Sequence, residues 1–385
     1  MALNGPRRNL RLAGWWIAGV CSSALANAWL PLPAENPFRS TLAMLPFVIA
    51  GFLALQEWAD RHGNRRRPAG WIAPATAALV LATLSRDRLA LTGLDFAIAG
   101  GFAVLLVART IGLLLALRPA LGTRLPRRPP WPFFALPFLF YVAILPWSSE
   151  RRAPDGDEPY YLLVTHSLAY DFDSDLANNY AAEDSRAFMP RALEPQPGDP
   201  VGPQGQKYSR HNEALPILLA PGYRLFGKSG ALVTMAALTA LLAWLTLRVA
   251  RHYTAEHPGE TLWSYGIVAF ASPFVLYSGQ AWVEVPAALL GLIAIDQIRD
   301  LRGHRSWGTK QWIGIALPVL LLPLVKLRFV LLAGPLLALA WWHAGRPRKP
   351  LLVVAGLLSV LLAGVLVHNL LVFGNPLKIH TLEEV

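Results

Sequence analysis

An all-α, polytopic membrane fold is the class this sequence predicts, and three observations point to it. Of 385 residues, 54% are hydrophobic and only 15% are charged, outside the usual range of a soluble domain. The apolar residues form runs approaching the roughly 20 residues a helix needs to cross the hydrocarbon. The basic residues fall between those runs in alternate loops, as the positive-inside rule requires.

Taken in order, the runs give about eleven spans, near 12–32, 41–58, 71–86, 89–117, 131–147, 229–249, 262–279, 282–298, 312–325, 329–343 and 351–373. The first follows a basic start and ends in an A-x-A-like stretch, the outline of a signal peptide. Its long apolar run with paired tryptophans and the spans behind it favour a retained helix. With the N-terminus cytoplasmic, the inside loops hold 20 of the 35 Lys and Arg. Residues 148–213 are then extracytoplasmic, with 12 of the 24 acidic residues against six Lys and Arg. A bacterial inner membrane is the expected location.

Residues 1–130 read as an N-terminal unit of four spans, and 131–385 as a core carrying loop 148–213. Basic residues scattered between apolar runs do not form a groove for nucleic acid, so the net charge of +11 is assigned to topology. Cys21 is the only cysteine, which excludes an intramolecular disulfide and a cysteine-based zinc site.

Polar chemistry gathers in the loop. Asp157-Glu158-Pro159 opens a helix, because proline suits a first turn whose N–H would be unpaired anyway. Tyr160, Leu163, Val164 and Leu168 share a face by their spacing, which predicts a short amphipathic helix along the outer interface. In DFDSDLANNY, Asp171, Asp173 and Asp175 alternate as in a calcium loop, but Leu176 and Ala182 stand where that loop needs glycine and glutamate. A surface loop or substrate rim is expected there, with a loosely held divalent cation as the alternative. Packing or snorkelling is expected of Arg109 and Asp296, and a bond to a neighbouring helix of Asn369.

Four stretches occur in a telling order: DGDEPYYLLVTHSL, HNEALPILLAPGYRLFG, WVEVPAALL and NLLVFGNPL. Together they resemble bacterial membrane glycosyltransferases of the GT-C superfamily, similar to the protein O-mannosyltransferase and aminoarabinose transferase group. The resemblance covers about residues 131 to 377 and leaves the first four spans as an addition. It implies inverting transfer of a sugar from a polyprenyl-phosphate donor to a lipid, glycan or protein acceptor at the outer face, with the loop aspartate as base.

That chemistry needs a proton acceptor for the attacking hydroxyl and positive charge for the departing phosphate. Asp157 is the candidate base, and Glu158 would orient it or hold the acceptor. Lys326 and Arg328 stand together at an outer helix end, a point charge beside a guanidinium fork suited to phosphate. Arg210 and His211 are further phosphate or acceptor contacts, and Tyr161 is a further substrate contact. Glu284, a carboxylate beside the bilayer, is a candidate for sugar or acceptor. No metal is required by this scheme. Two other functions remain open: a transporter or flippase for a lipid-linked or anionic solute, whose helices would also be broken, and a non-catalytic accessory protein.

Overall fold

The computed structural model describes residues 129–150, 153–254, 257–301, 307–344 and 349–377. The four spans expected before residue 130, with Arg109 and Cys21, lie outside the described residues. The described chain is helical; its only paired extended residues form an isolated bridge between Val201 and Lys207. Two compact units are present, Met1–Pro146 with Ala250–Ser264, and Trp147–Val249 with Tyr265–Val385. The residues discussed below as a site all belong to the second unit.

Helix α1 covers Pro132–Glu150, α2 Glu158–Tyr170 and α3 Ala177–Ala181. A 3-10 turn, Asp184–Ala187, follows α3. Helix α4 runs from Ala214 to Tyr253 but breaks at Phe226 and Gly227. Next come α5 (Pro258–Phe270), α6 (Phe274–Tyr277) and α7 (Glu284–Leu301). The last three are α8 (Thr309–Val325), α9 (Val330–His343) and α10 (Lys349–Phe373), with a 3-10 turn at Leu327–Phe329 between α8 and α9.

Most of the later spans expected from apolar runs coincide with one of these helices. The run at 262–279 is instead divided, because α5 stops at Phe270 and α6 holds only the four residues after Pro273. Two described helices, α4 and α10, are long and apolar enough to cross a membrane. At 1.5 Å per residue, α8 and α9, of 17 and 14 residues, reach about 26 and 21 Å, short of a hydrocarbon core of about 30 Å.

The break in α4 makes it two arms, 214–225 and 228–253. Gly227 has φ +57° and ψ −146°, a combination essentially restricted to glycine. The arms then touch backbone to backbone: a Cβ on Gly222 would stand 2.6 Å from the Gly230 carbonyl oxygen, and one on Gly230 would run into the Gly222 carbonyl. The first arm buries Leu215, Leu219 and Tyr223 and exposes Ile217, Leu218 and Leu225. Arg224 lies over the end of α2, its guanidinium 4.7 Å from the Tyr170 ring centre.

One core joins α2, both arms of α4, α7, α8 and α9 through Tyr161, Leu162, Leu219, Met235, Val285, Val319 and Leu336. Helix α8 packs against α7, α9 and α10. The outward faces of α9 and α10 carry Leu331, Leu352, Val360 and Leu371, 70–80% exposed, a surface matched to lipid rather than water.

Helix α2 differs from the expectation. It is a buried core helix rather than an amphipathic one at the interface: Glu158, Tyr161, Leu162, Leu163, Val164, Thr165, Ser167 and Ala169 are all buried. The cause is that the face opposite Leu163 and Val164 is itself apolar or small. Its hydroxyls are satisfied locally, Thr165 by the Tyr161 carbonyl at 2.6 Å and Ser167 by the Asp173 carbonyl at 2.9 Å.

The acidic stretch after α2 builds the loop. Asp173 Oδ1 accepts the Asp175 N–H, and Asp175 Oδ1 accepts those of Ala177 and Lys207. Asn179 donates to Asp171 and to Asp184, 2.9 Å each. His166 lies between Tyr223 (3.1 Å) and Asp184 (3.7 Å). These carboxylates therefore serve as turn acceptors and side-chain ties, and among the described residues no three metal-ligating side chains converge.

Candidate functional site

The turn 155–157 and the start of α2 set the first part of the site. Gly156 takes φ +61°, and the Trp282 ring would lie 3.3 Å from a Cβ placed there. Asp157 occupies the N-cap position of α2, yet its side chain makes no capping bond. Instead its Oδ2 accepts a hydrogen bond from Lys326 Nζ at 2.7 Å. Residues 169 positions apart are thus in direct contact, and capping does not account for the aspartate.

Lys326 reaches this point because α8 stops there. Its own backbone is extended (φ −159°, ψ 134°), and the freed carbonyls of Pro323 and Leu324 accept from Asn212 Nδ2 at 3.3 and 2.9 Å. A helix end that would otherwise leave carbonyls unpaired is closed by a side chain from the loop.

His211 is the second cation-capable neighbour, with Nε2 3.8 Å from Asp157 Oδ1. It meets Gln196 Oε1 at 3.0 Å through the same nitrogen, and the rings of Tyr160 and Tyr161 pack 5.8 and 5.1 Å from its own. Arg328 pairs with Glu284. One buried oxygen of Glu284 and the buried indole nitrogen of Trp282 have no hydrogen-bond partner among the described residues.

Burial alone would push the Asp157 carboxyl up. The Lys326 hydrogen bond and the charges of His211, Lys326 and Arg328 outweigh it and hold the group below the ordinary carboxylate range. Burial lowers His211, with Asp157 opposing, and burial also lowers His166. Tyr161 is pushed up, chiefly by burial and then by Asp157 and Glu284.

The sign of the pH response follows. Both imidazoles bind protons less readily folded than unfolded, so below an unfolded value of about 6.5 the unfolded chain binds more protons. Their contribution to stability is complete above that pH and declines as pH falls through the window. Asp157 acts in the same sense further down, contributing above about 3.9 and losing that contribution as pH falls toward its folded value. Between pH 7.5 and pH 5.5 the thermal midpoint in detergent should therefore respond less favourably to acid in the native protein than in His211→Gln; the same response in both proteins would contradict this.

Glu158 sits differently from its neighbour. It is fully buried, and its Oε1 accepts the Ala281 N–H at 2.9 Å. This bond ties the start of α2 to the segment that carries Trp282 and Glu284, so Glu158 is engaged with backbone. Glu158→Ala would leave the Ala281 N–H buried and unpaired, a cost of about 1–3 kcal/mol. Glu158→Gln keeps an acceptor and should be much milder, as thermal unfolding of the two variants would show.

Arg210 is held on Asp199, its Nε 3.4 Å from Oδ1. Glu213 and His368 are 3.4 Å apart, and Asn369 donates to the Pro376 carbonyl at 3.3 Å, closing the turn after α10 as well as lying buried. At the far end of α7, Asp296 lies 3.0 Å from Arg248 and 2.6 Å from Arg299. Both are charge contacts rather than well-aligned hydrogen bonds, since Asp296 Oδ1 and Arg248 Nε have no bond of that kind.

Of the residues named from sequence, Asp157, Lys326 and His211 are in contact or nearly so, and Arg328 and Glu284 form a pair. Tyr161 packs on His211, while Glu158 and Arg210 are engaged elsewhere. Gln196, Asn212, Tyr160 and Trp282 were not anticipated. Asn212 follows His211 directly, which was the one available signal; nothing in the Pro- and Gly-rich loop marked Gln196. No family model, curated protein or solved structure matches the chain.

Proposed function

We propose that the protein is a polytopic membrane glycosyltransferase of GT-C type, which moves a sugar from a polyprenyl-phosphate donor to an acceptor at the extracytoplasmic face. The observation that carries this reading is the contact of Asp157 with Lys326 at 2.7 Å. It puts a half-exposed carboxylate and a half-exposed ammonium, 29% and 30% accessible, beside a second acid–base pair, Glu284 with Arg328. Proton acceptor and phosphate-binding charge are what this transfer needs.

In the reaction, Asp157 takes the proton of the acceptor hydroxyl as that oxygen bonds to the anomeric carbon. The bond from that carbon to the phosphate oxygen breaks on the opposite face, inverting the centre and leaving the polyprenyl phosphate. Lys326 and Arg328 hold the negative charge that builds on the phosphate. Glu284 and Trp282 offer an acceptor and a donor for sugar hydroxyls, in keeping with their unpartnered buried atoms. Glu158 positions the segment bearing them through Ala281.

Topology supports the same reading. The two polar groups of α7 lie at its opposite ends, Glu284 at the start and Asp296 with Asp300 near the finish. The sixteen helical steps from position 284 to position 300 correspond to about 24 Å of helix. The first end belongs with the acidic loop and the second with the basic connections, so the positive-inside bias assigns them outside and inside.

The test uses radiolabelled polyprenyl-phosphate sugar with the full chain in bacterial membrane vesicles. Label joined covalently to a new acceptor supports transfer. Label that crosses the bilayer still attached to its original lipid supports the transporter instead.

A further inference from the structure

We propose that Lys326 is exchanged between two anions, holding the Asp157 carboxylate when the site is empty and moving to the lipid phosphate when donor binds, so that the base is released only in the loaded enzyme. This inference rests on the reading of the site as a lipid-phosphate site and adds how that site is regulated.

The geometry is that of a shared cation. Lys326 Nζ lies 2.7 Å from Asp157 Oδ2, and an ammonium so placed occupies one lone pair and stabilises the ionised carboxylate against protonation. A carboxylate in this state is a poor base. The pair is only half buried, and such pairs are weakly held because water and counter-ions compete for both partners. A phosphate brought into the site by its lipid is a stronger competitor, since it offers several charged oxygens to one ammonium.

Only the side chain needs to move. The Lys326 backbone is fixed at the end of α8 by Asn212 on the Pro323 and Leu324 carbonyls, while its flexible four-carbon stem can swing. Arg328 is less free to substitute for it, being paired with Glu284. Asp157 keeps a neighbour after the exchange: His211 stands 3.8 Å away, held by Gln196 at 3.0 Å and packed against Tyr160 and Tyr161. That imidazole does not neutralise the freed carboxylate as an ammonium does, because burial disfavours its charged form.

A shared cation has a consequence that simple repulsion between carboxylate and phosphate does not: removing the carboxylate improves phosphate binding only while Lys326 is present. The probe is a sugar-free polyprenyl monophosphate, titrated into the full chain in nanodiscs. Asp157→Asn, and Asp157→Ser as a second form in case the first misfolds, should lower Kd about three- to tenfold. Lys326→Met should raise it at least tenfold, and adding Asp157→Asn to Lys326→Met should bring no tightening, which is the coupling a double-mutant cycle detects. If Lys326→Met weakens binding but neither Asp157 variant tightens it, the exchange is wrong and the phosphate site stands. If Lys326→Met leaves Kd unchanged, both the exchange and the assignment of phosphate to this site are wrong.

Discussion

Asp157→Asn is expected to lower the rate of donor turnover by 10²–10⁴ while leaving the fold intact. The rate loss follows from the role of a positioned base, worth about 3–5 kcal/mol of barrier. An amide has nearly the same shape as the carboxylate but takes no proton from the acceptor. Stability should scarcely change, because the bond lost is to a half-exposed Lys326 and pairs of this kind contribute about 0–1 kcal/mol. Asp157 also makes no capping bond to α2, so the helix loses nothing at its start. Initial rates measured with saturating donor, beside the thermal midpoint of each protein, separate the two effects. Turnover within twofold of the wild type would remove Asp157 as the base.

Gly230→Val is expected to be the most damaging substitution for folding outside the site. Any Cβ at residue 230 runs into the Gly222 carbonyl oxygen, and backbone cannot move aside as a flexible side chain can. Separation of the arms is resisted on the other face, where Leu219 and Tyr223 are buried in the core and the Tyr223 hydroxyl meets His166 at 3.1 Å. Overpacking of this kind costs about 1–3 kcal/mol or more, and the loss should show as a lower thermal midpoint and poor recovery of folded protein. Gly334→Ala is the control. A Cβ there has nothing within 4 Å, and alanine is the better helix former by about 0.5–1 kcal/mol, so stability should hold or rise slightly.

The helices were legible because their exposed and buried apolar residues form runs that need no partner to be recognised. The break within α4 was less so. Pro221, Gly222, Gly227 and Gly230 are all in view in the sequence, but only a fold in which 222 meets 230 makes them a hairpin. The single run at 262–279 concealed the interruption at Pro273 for a related reason, since composition does not distinguish a kinked helix from two short ones. Helix α2 was misjudged because one apolar face was counted and the equally buried residues opposite it, Leu162, Thr165 and Ala169 among them, were not.

At the site, charge in unusual places was the useful signal. Glu284, Lys326 and Arg328 stood out because ionised groups beside a bilayer are expensive, Asp157 stood out through the resemblance carried by its D-E stretch, and the structure joins the four in two pairs. Which acid meets which cation could not be read, since the partners are 169 and 44 residues apart and no local period relates them. Gln196 and Asn212 carry no charge and lie in irregular chain, so their bonds to His211 and to the end of α8 became visible only once the loop was in place.

The measurement that bears most directly on the central claim is a sided cross-link between positions 157 and 326. With Cys21→Ser as background, Asp157→Cys and Lys326→Cys would be combined and treated in right-side-out vesicles with a short, membrane-impermeant bis-thiosulfonate. The account predicts an intramolecular link in intact vesicles, since the native side chains touch and the proposed topology puts them at the extracytoplasmic face. A link that forms only after the membrane is permeabilised, or no link although each cysteine reacts alone, would contradict it.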